Sequence, residues 1–195
     1  MKTIEEVQDE YKNNLSIPSI KPTVQCLVCP VGLIGSGKTT VITPIASELN
    51  LVRVSNDEYR ILLKQNGHNY ETVKSFIRTT CTNLLEQGHS IALDANCGGQ
   101  TTYSFIKKAE EIYRVKVFWL HINTPEEYAL EGLRLRQSPM VETNEDWIRN
   151  RENQKERIEH LGYEFDFFAT FDISRTDFEA QITNCIEQLK QKIYQ

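Results

Sequence analysis

The strongest constraint on this chain is the octapeptide Gly32-Leu33-Ile34-Gly35-Ser36-Gly37-Lys38-Thr39, which satisfies GxxxxGK[ST] at every fixed position. It follows a short apolar run, TVQCLVCPV, and precedes a stretch with helical patterning. Strand, glycine-rich turn and helix in that order are the context this Walker A pattern needs. Glycines open backbone conformations closed to other residues, so successive N–H groups can turn inward around an anion. Lys38 adds a point charge, the Thr39 hydroxyl is a hard oxygen donor for a divalent cation, and the following helix aims its positive end at the same point. The segment therefore reads as a P-loop for the phosphates of ATP or GTP. Its nucleotide-binding residues are Gly32, Gly35, Ser36, Gly37, Lys38, Thr39 and Thr40.

A strand ending in such a loop belongs inside a covered sheet, and the remaining sequence supplies one. LVRVS, SIALDA, VKVFWLHI and FDFFATFDI are further short apolar runs, separated by segments of helical period. The alternation predicts an α/β fold, a parallel five-stranded sheet with helices on both faces. Helix 38–49 contains Pro44, so a kink or early break is expected. A helix from Tyr70 aligns Val73, Phe76, Ile77, Thr80, Leu84 and Leu85 and ends at Gly88. Thr124-Pro125-Glu126-Glu127 reads as a helix start with Thr124 as cap, and Ser138-Pro139 as its break. The charged stretch 144–159 is expected to be helical with little core face. Asp177 is expected to cap a last helix burying Phe178, Ile182, Cys185, Ile186, Leu189 and Ile193.

The length of 195 residues suits one domain at 23–195, with a lid region at about 132–160. Residues 1–22 read as an appendage packed loosely on it: a short amphipathic helix with Ile4, Val7 and Tyr11 on one side, then a linker broken by Pro18 and Pro22. A formal net charge of -5 gives no basic footprint for duplex binding, so nucleic acid enters only as a substrate end. No apolar run is long enough to span a bilayer, and the first residues lack the apolar core of a signal peptide; a cytoplasmic location without a membrane partner is expected. The five cysteines, an odd count, argue against a disulfide framework. The CxxC of Cys26 and Cys29 is read as buried packing, because strand residues three apart face opposite sides and no second pair stands at ligand spacing.

In an open α/β sheet, ligands sit beyond the carboxyl ends of the strands. Asp57 follows LVRVS and Asp94 ends SIAL. Asp94 is placed to share a magnesium ion with Thr39. Asp57 is placed to accept the proton of a hydroxyl acceptor, and Arg60, one turn on, to grip an anionic one.

With these residues, most of the chain resembles the small P-loop kinases related to polynucleotide 5′-hydroxyl kinase and, more distantly, the zeta-toxin kinases. The likeness lies in GLIGSGKTT, in SNDEYR with its Asp-x-x-Arg, and in LDAN with its Asp-x-Asn. It implies an adenylate-kinase-like P-loop NTPase fold with a helical lid. It also implies Asp57 as general base, Arg60 and Asn96 on substrate, and lid arginines on the transferring phosphoryl group. Arg136 leads among these, with Arg134, Arg149 and Arg151 as alternatives. The chain departs from the pattern at Gly98-Gly99-Gln100-Thr101 and at Gly132, where relatives often carry arginines. The expected activity is magnesium- and ATP-dependent phosphotransfer to a hydroxyl on a nucleotide, nucleic-acid end or small metabolite. The alternative is a nucleotide-binding module or slow NTPase without an acceptor.

Overall fold

The computed structural model describes residues 1–136, 140 and 143–195. Its centre is a five-stranded sheet of β1 (Cys26–Val31), β2 (Val52–Ser55), β3 (Ile91–Asp94), β4 (Lys116–Ile122) and β5 (Phe167–Phe171), in the order β2-β3-β1-β4-β5. Every neighbouring pair is parallel, so all carboxyl ends lie along one edge. The register pairs Ser55 with Asp94 and Val31 with His121, which sets the ends of four strands side by side around the loop that follows β1.

Eight helices follow in chain order among the described residues: α1 (Ile4–Asn13), α2 (Lys38–Glu48), α3 (Asn56–Gln65), α4 (Val73–Glu86), α5 (Gln100–Tyr113), α6 (Glu126–Leu135), α7 (Asn144–Glu159) and α8 (Phe178–Ile193). They divide the core into two layers. Cys26 and Val28 of β1 face one layer, with Ile42, Ile45, Ile186 and Leu189. Leu27 and Cys29 face the other, with Tyr59, Phe76, Cys81 and Ile106. Each fully buried large apolar side chain is worth about 1.5–3 kcal/mol relative to exposure, so the period-two pattern of β1 fixes which helices it joins. Cys26 and Cys29 thus point to opposite layers, as strand geometry requires, and all five cysteines are buried and free. No group of three or more histidine, cysteine or acidic side chains stands together as a metal site among the described residues, and no described helix is long and apolar enough to cross a membrane.

The aligned faces of α4 and α8 are buried as their patterns predict. α7 is a largely polar helix, closed at its start by a capping box between Thr143 and Asp146, with Trp147 and Arg151 buried. Four expectations need correction. Helix α2 does not break at Pro44; it runs to Glu48, because Val41, Ile42, Ile45 and Ala46 are buried against the sheet and outweigh one lost backbone bond. Thr124 does not cap α6, because its hydroxyl is used on the phosphate loop. Asp177 stands at the N-cap of α8 as expected, but its side chain makes no capping bond and accepts from Arg175 and Gln181 instead. The break expected at Ser138-Pro139 lies outside the described residues.

The fourth correction concerns the amino-terminal helix. α1 forms, with Thr3 in a capping box, but it is not loosely packed: Val7 is 0% and Tyr11 2% exposed. β2 is an edge strand, and the backbone of Ser55 faces outward from the sheet. The Tyr11 hydroxyl donates to the Ser55 carbonyl (3.0 Å) and accepts from the Ser55 N–H (2.9 Å). The Tyr11 ring packs edge-on against Tyr59 and Phe76, at centroid separations of 5.5 and 5.6 Å. One side chain therefore covers the exposed edge where β2 hands over to α3.

Candidate active site

The loop between β1 and α2 carries its glycines where backbone conformation and space demand them. Gly35 and Gly37 have φ of +82° and +92°, and a Cβ on them would stand 2.8 Å from Leu133 Cγ and 2.5 Å from Ile173 Cδ1. A Cβ on Gly32 would come within 2.7 Å of the Ile122 carbonyl oxygen. Four loop carbonyls are held by side-chain donors. Lys38 Nζ donates to those of Gly32 (3.1 Å) and Leu33 (2.8 Å). Thr124 Oγ1 donates to that of Ser36 (2.8 Å), and the Arg151 guanidinium to that of Ile34. Three of the loop N–H groups also have protein acceptors: that of Gly32 donates to Asn96 Oδ1, that of Ile34 to Gln154 Oε1 and that of Ser36 to the Leu33 carbonyl.

Lys38 is folded under the loop, and burial pulls its ammonium down to about 8, opposed by the charges of Asp57 and Asp94. Thr39 Oγ1 donates to Asp94 Oδ1 at 2.9 Å. The other Asp94 oxygen accepts from Arg53, whose guanidinium also reaches Glu58. Asp94 is only 6% exposed. Burial pushes its carboxyl above the usual range, while Thr39 and Arg53 work against that rise. A hydroxyl and a carboxylate in contact at the mouth of a phosphate loop are hard oxygen donors that fit magnesium.

Asp57 lies in the first turn of α3, which Ser55 caps through its hydroxyl. Its Oδ1 accepts from Arg60 at 2.8 Å, and Arg136 Nη2 stands 3.9 Å from its Oδ2. Arg136 in turn lies over the Trp147 ring, 4.4 Å from the centroid. Lys38, Thr39, Asp94, Asp57, Arg60 and Arg136 are thus gathered at one sheet edge. Asn96 is placed differently: its Oδ1 accepts from the N–H groups of Gly98 (3.2 Å) and Gly32 (3.4 Å), bracing the start of the loop. Thr40 is exposed at the start of α2.

The alternatives to Arg136 separate clearly. Arg149 is exposed and paired with Asp146, whereas Arg151 is 4% exposed and lies on the phosphate loop. Gly132 faces open space: a Cβ added there would meet nothing within 4 Å. Trp119 packs in the core and His121 stacks on Phe167 at 4.6 Å. Sequence reasoning missed Arg53, Thr124 and Gln154. Strand alternation offered a signal for Arg53, which shares a side of β2 with Ser55; nothing local marked the other two.

Residues 27–161 match the family model described as AAA domain. No curated protein matches the sequence. Among solved structures, the chain is similar to a gluconokinase from Sinorhizobium meliloti 1021, with a TM-score of 0.55 and 14% identity over 89% of this chain and 97% of that one. It is also similar to the APS kinase CysC of Mycobacterium tuberculosis in complex with AMPPNP and APS, with a TM-score of 0.51 and 16% identity over 87% and 99% of the two chains. A shikimate kinase from Bacteroides thetaiotaomicron follows, with a TM-score of 0.50 and 16% identity over 85% and 97%. At such identities the likeness is one of fold: a parallel five-stranded α/β P-loop architecture.

Proposed function

This chain belongs to the AAA domain family, and on that premise we propose that it is an ATP-dependent phosphotransferase that moves the γ-phosphate to a hydroxyl acceptor bound beside α3. The observation that carries the reading is the position of Asp57. Its carboxylate stands between Arg60 and Arg136 and contributes to the field at Lys38, across the sheet edge from the Thr39–Asp94 pair. A carboxylate held between two cations beside the phosphate loop supports an acceptor site in addition to a nucleotide site.

In this reading the loop N–H groups left without a protein acceptor receive the β-phosphate, and Lys38 exchanges two neutral carbonyl partners for an anionic one. Magnesium, when bound by Thr39 and Asp94, draws charge from the phosphate oxygens. Asp57 takes the acceptor's hydroxyl proton as the acceptor oxygen bonds to the γ-phosphorus and the bond to the ADP oxygen breaks. Arg136 stabilises the charge on the transferring group, and Arg60 grips an anionic acceptor. The Asp57-x-x-Arg60 pattern supports an acceptor that carries phosphate near its hydroxyl, as the resemblance to polynucleotide 5′-hydroxyl kinase suggests.

Incubation with γ-labelled ATP and a panel of nucleosides, nucleotides, oligonucleotide ends, sugars and sugar phosphates tests the proposal. Label on an acceptor is the expected result. Hydrolysis without a labelled acceptor would favour the second reading, a slow NTPase or nucleotide-binding module. That reading draws on Gly98, Gly99 and Gly132, which supply no cation to the acceptor side.

A further inference from the structure

Ile34 has both of its peptide groups taken by one distant helix. Its N–H donates to Gln154 Oε1 at 2.7 Å, and its carbonyl accepts from the Arg151 guanidinium. Arg151 and Gln154 are three residues apart on α7 and so share a face. The contact falls just before Gly35 and Gly37, the two positive-φ residues of the loop. A segment with such glycines has many conformers open to it, and fixing one of them costs entropy. If nucleotide had to select that conformer, the cost would be taken from its affinity.

Arg151 is unusual for a charged residue. It is buried, its Nε has no hydrogen bond among the described residues, and its nearest carboxylate, on Glu126, is 3.9 Å away. Burial holds its guanidinium below its ordinary value. Burying a cation without a close counter-ion is costly. A role confined to fold stability would be served better by an apolar residue at this place. The cost is understandable if the guanidinium is needed on the loop carbonyl.

We propose that Arg151 and Gln154 are positioning residues: α7 grips Ile34 and keeps the phosphate loop in its nucleotide-receiving shape before nucleotide arrives. The inference rests on reading the loop as a nucleotide site, and it makes α7 a determinant of affinity without touching the nucleotide. It is tested by calorimetric titration of the full chain with ADP and with ATP–magnesium, well below the melting temperature, with melting curves run alongside. Gln154→Met keeps length and bulk but cannot accept from the Ile34 N–H. Arg151→Met removes the donor. Affinity should weaken about fivefold in Gln154→Met, the effect of one neutral hydrogen bond, and about tenfold or more in Arg151→Met, where the donor is charged. The double variant should bind little worse than Arg151→Met, since both side chains act on one residue.

A merely structural pair would lower the melting temperature and leave affinity within about twofold of wild type, and that result would overturn the proposal. Should Arg151→Met not fold, Gln154→Met decides alone. Absence of nucleotide binding in the wild-type chain would overturn the reading of the loop itself, and the inference with it.

Discussion

Tyr11→Phe removes one oxygen atom and isolates what α1 contributes to the rest of the molecule. The ring contacts with Tyr59 and Phe76 stay; the two bonds to the Ser55 backbone go. As the cap residue of α3, Ser55 still offers its carbonyl to the first turn. Its N–H is left buried and unpaired at the sheet edge. Such an orphaned group costs about 1–3 kcal/mol. The second bond, from the tyrosine hydroxyl to the Ser55 carbonyl, adds about 0.5–1.5 kcal/mol. We expect a loss of about 2–4 kcal/mol in urea unfolding, with an unchanged m-value, and a melting temperature lower by roughly 5–15 °C. Amide exchange should accelerate at residues 55–60 before it does in α8. A loss under about 0.5 kcal/mol would mean that water replaces the hydroxyl at the edge and that α1 is held by Val7 and the rings alone.

Lys38→Ala should weaken ATP binding or turnover by about tenfold or more with the fold intact; unchanged binding by titration would refute the phosphate-loop assignment. Because burial lowers the Lys38 ammonium to about 8, the unfolded chain binds more protons there between pH 8 and the ordinary lysine range, so this residue's burial penalty shrinks as pH rises through that window. Phosphate favours the charged form, so ADP binding in chelator should take up a proton near about pH 8.5 and weaken above it, read by calorimetry in buffers of different ionisation enthalpy and lost in Lys38→Ala. Asp94→Asn should raise the magnesium concentration needed for nucleotide binding; a wild-type magnesium dependence would reduce Asp94 to a partner of Thr39 and Arg53. Asp57→Asn should cut single-turnover transfer by about 10²–10⁴-fold while ATP affinity changes little, and Arg60→Ala should mainly raise the KM of an anionic acceptor. A large loss of ATP affinity in Asp57→Asn would move this residue to the nucleotide side.

Features with a short-range signature were readable from the chain. The loop announced itself by glycine spacing between a strand and a helix. The faces of α4 and α8 followed from their period, and the opposed cysteines from strand alternation. What escaped depends on partners far away in sequence. Tyr11 meets Ser55 across 44 residues, Thr124 meets Ser36 across 88, and Gln154 meets Ile34 across 120. Thr124 illustrates the limit well. Its local context is a good helix cap, yet the Ser36 carbonyl needs a donor inside a buried site, and tertiary demand won over local preference. Pro44 failed for a related reason: propensity weighs one lost hydrogen bond, whereas packing weighs four buried side chains.

The division of the thiols between the two layers gives the molecule a built-in set of timers. Cys26 and Cys185 report from one side of the sheet, and Cys29, Cys81 and Cys97 from the other. None can meet an alkylating reagent until its own layer parts, so each labelling rate measures the free energy of one local opening. β1 holds one reporter of each kind, Cys26 and Cys29, three positions apart on the same strand. Equal rates at these two sites mean that the helices leave the sheet together. Unequal rates mean that one side of the molecule breathes while the strand bearing the phosphate loop stays in place.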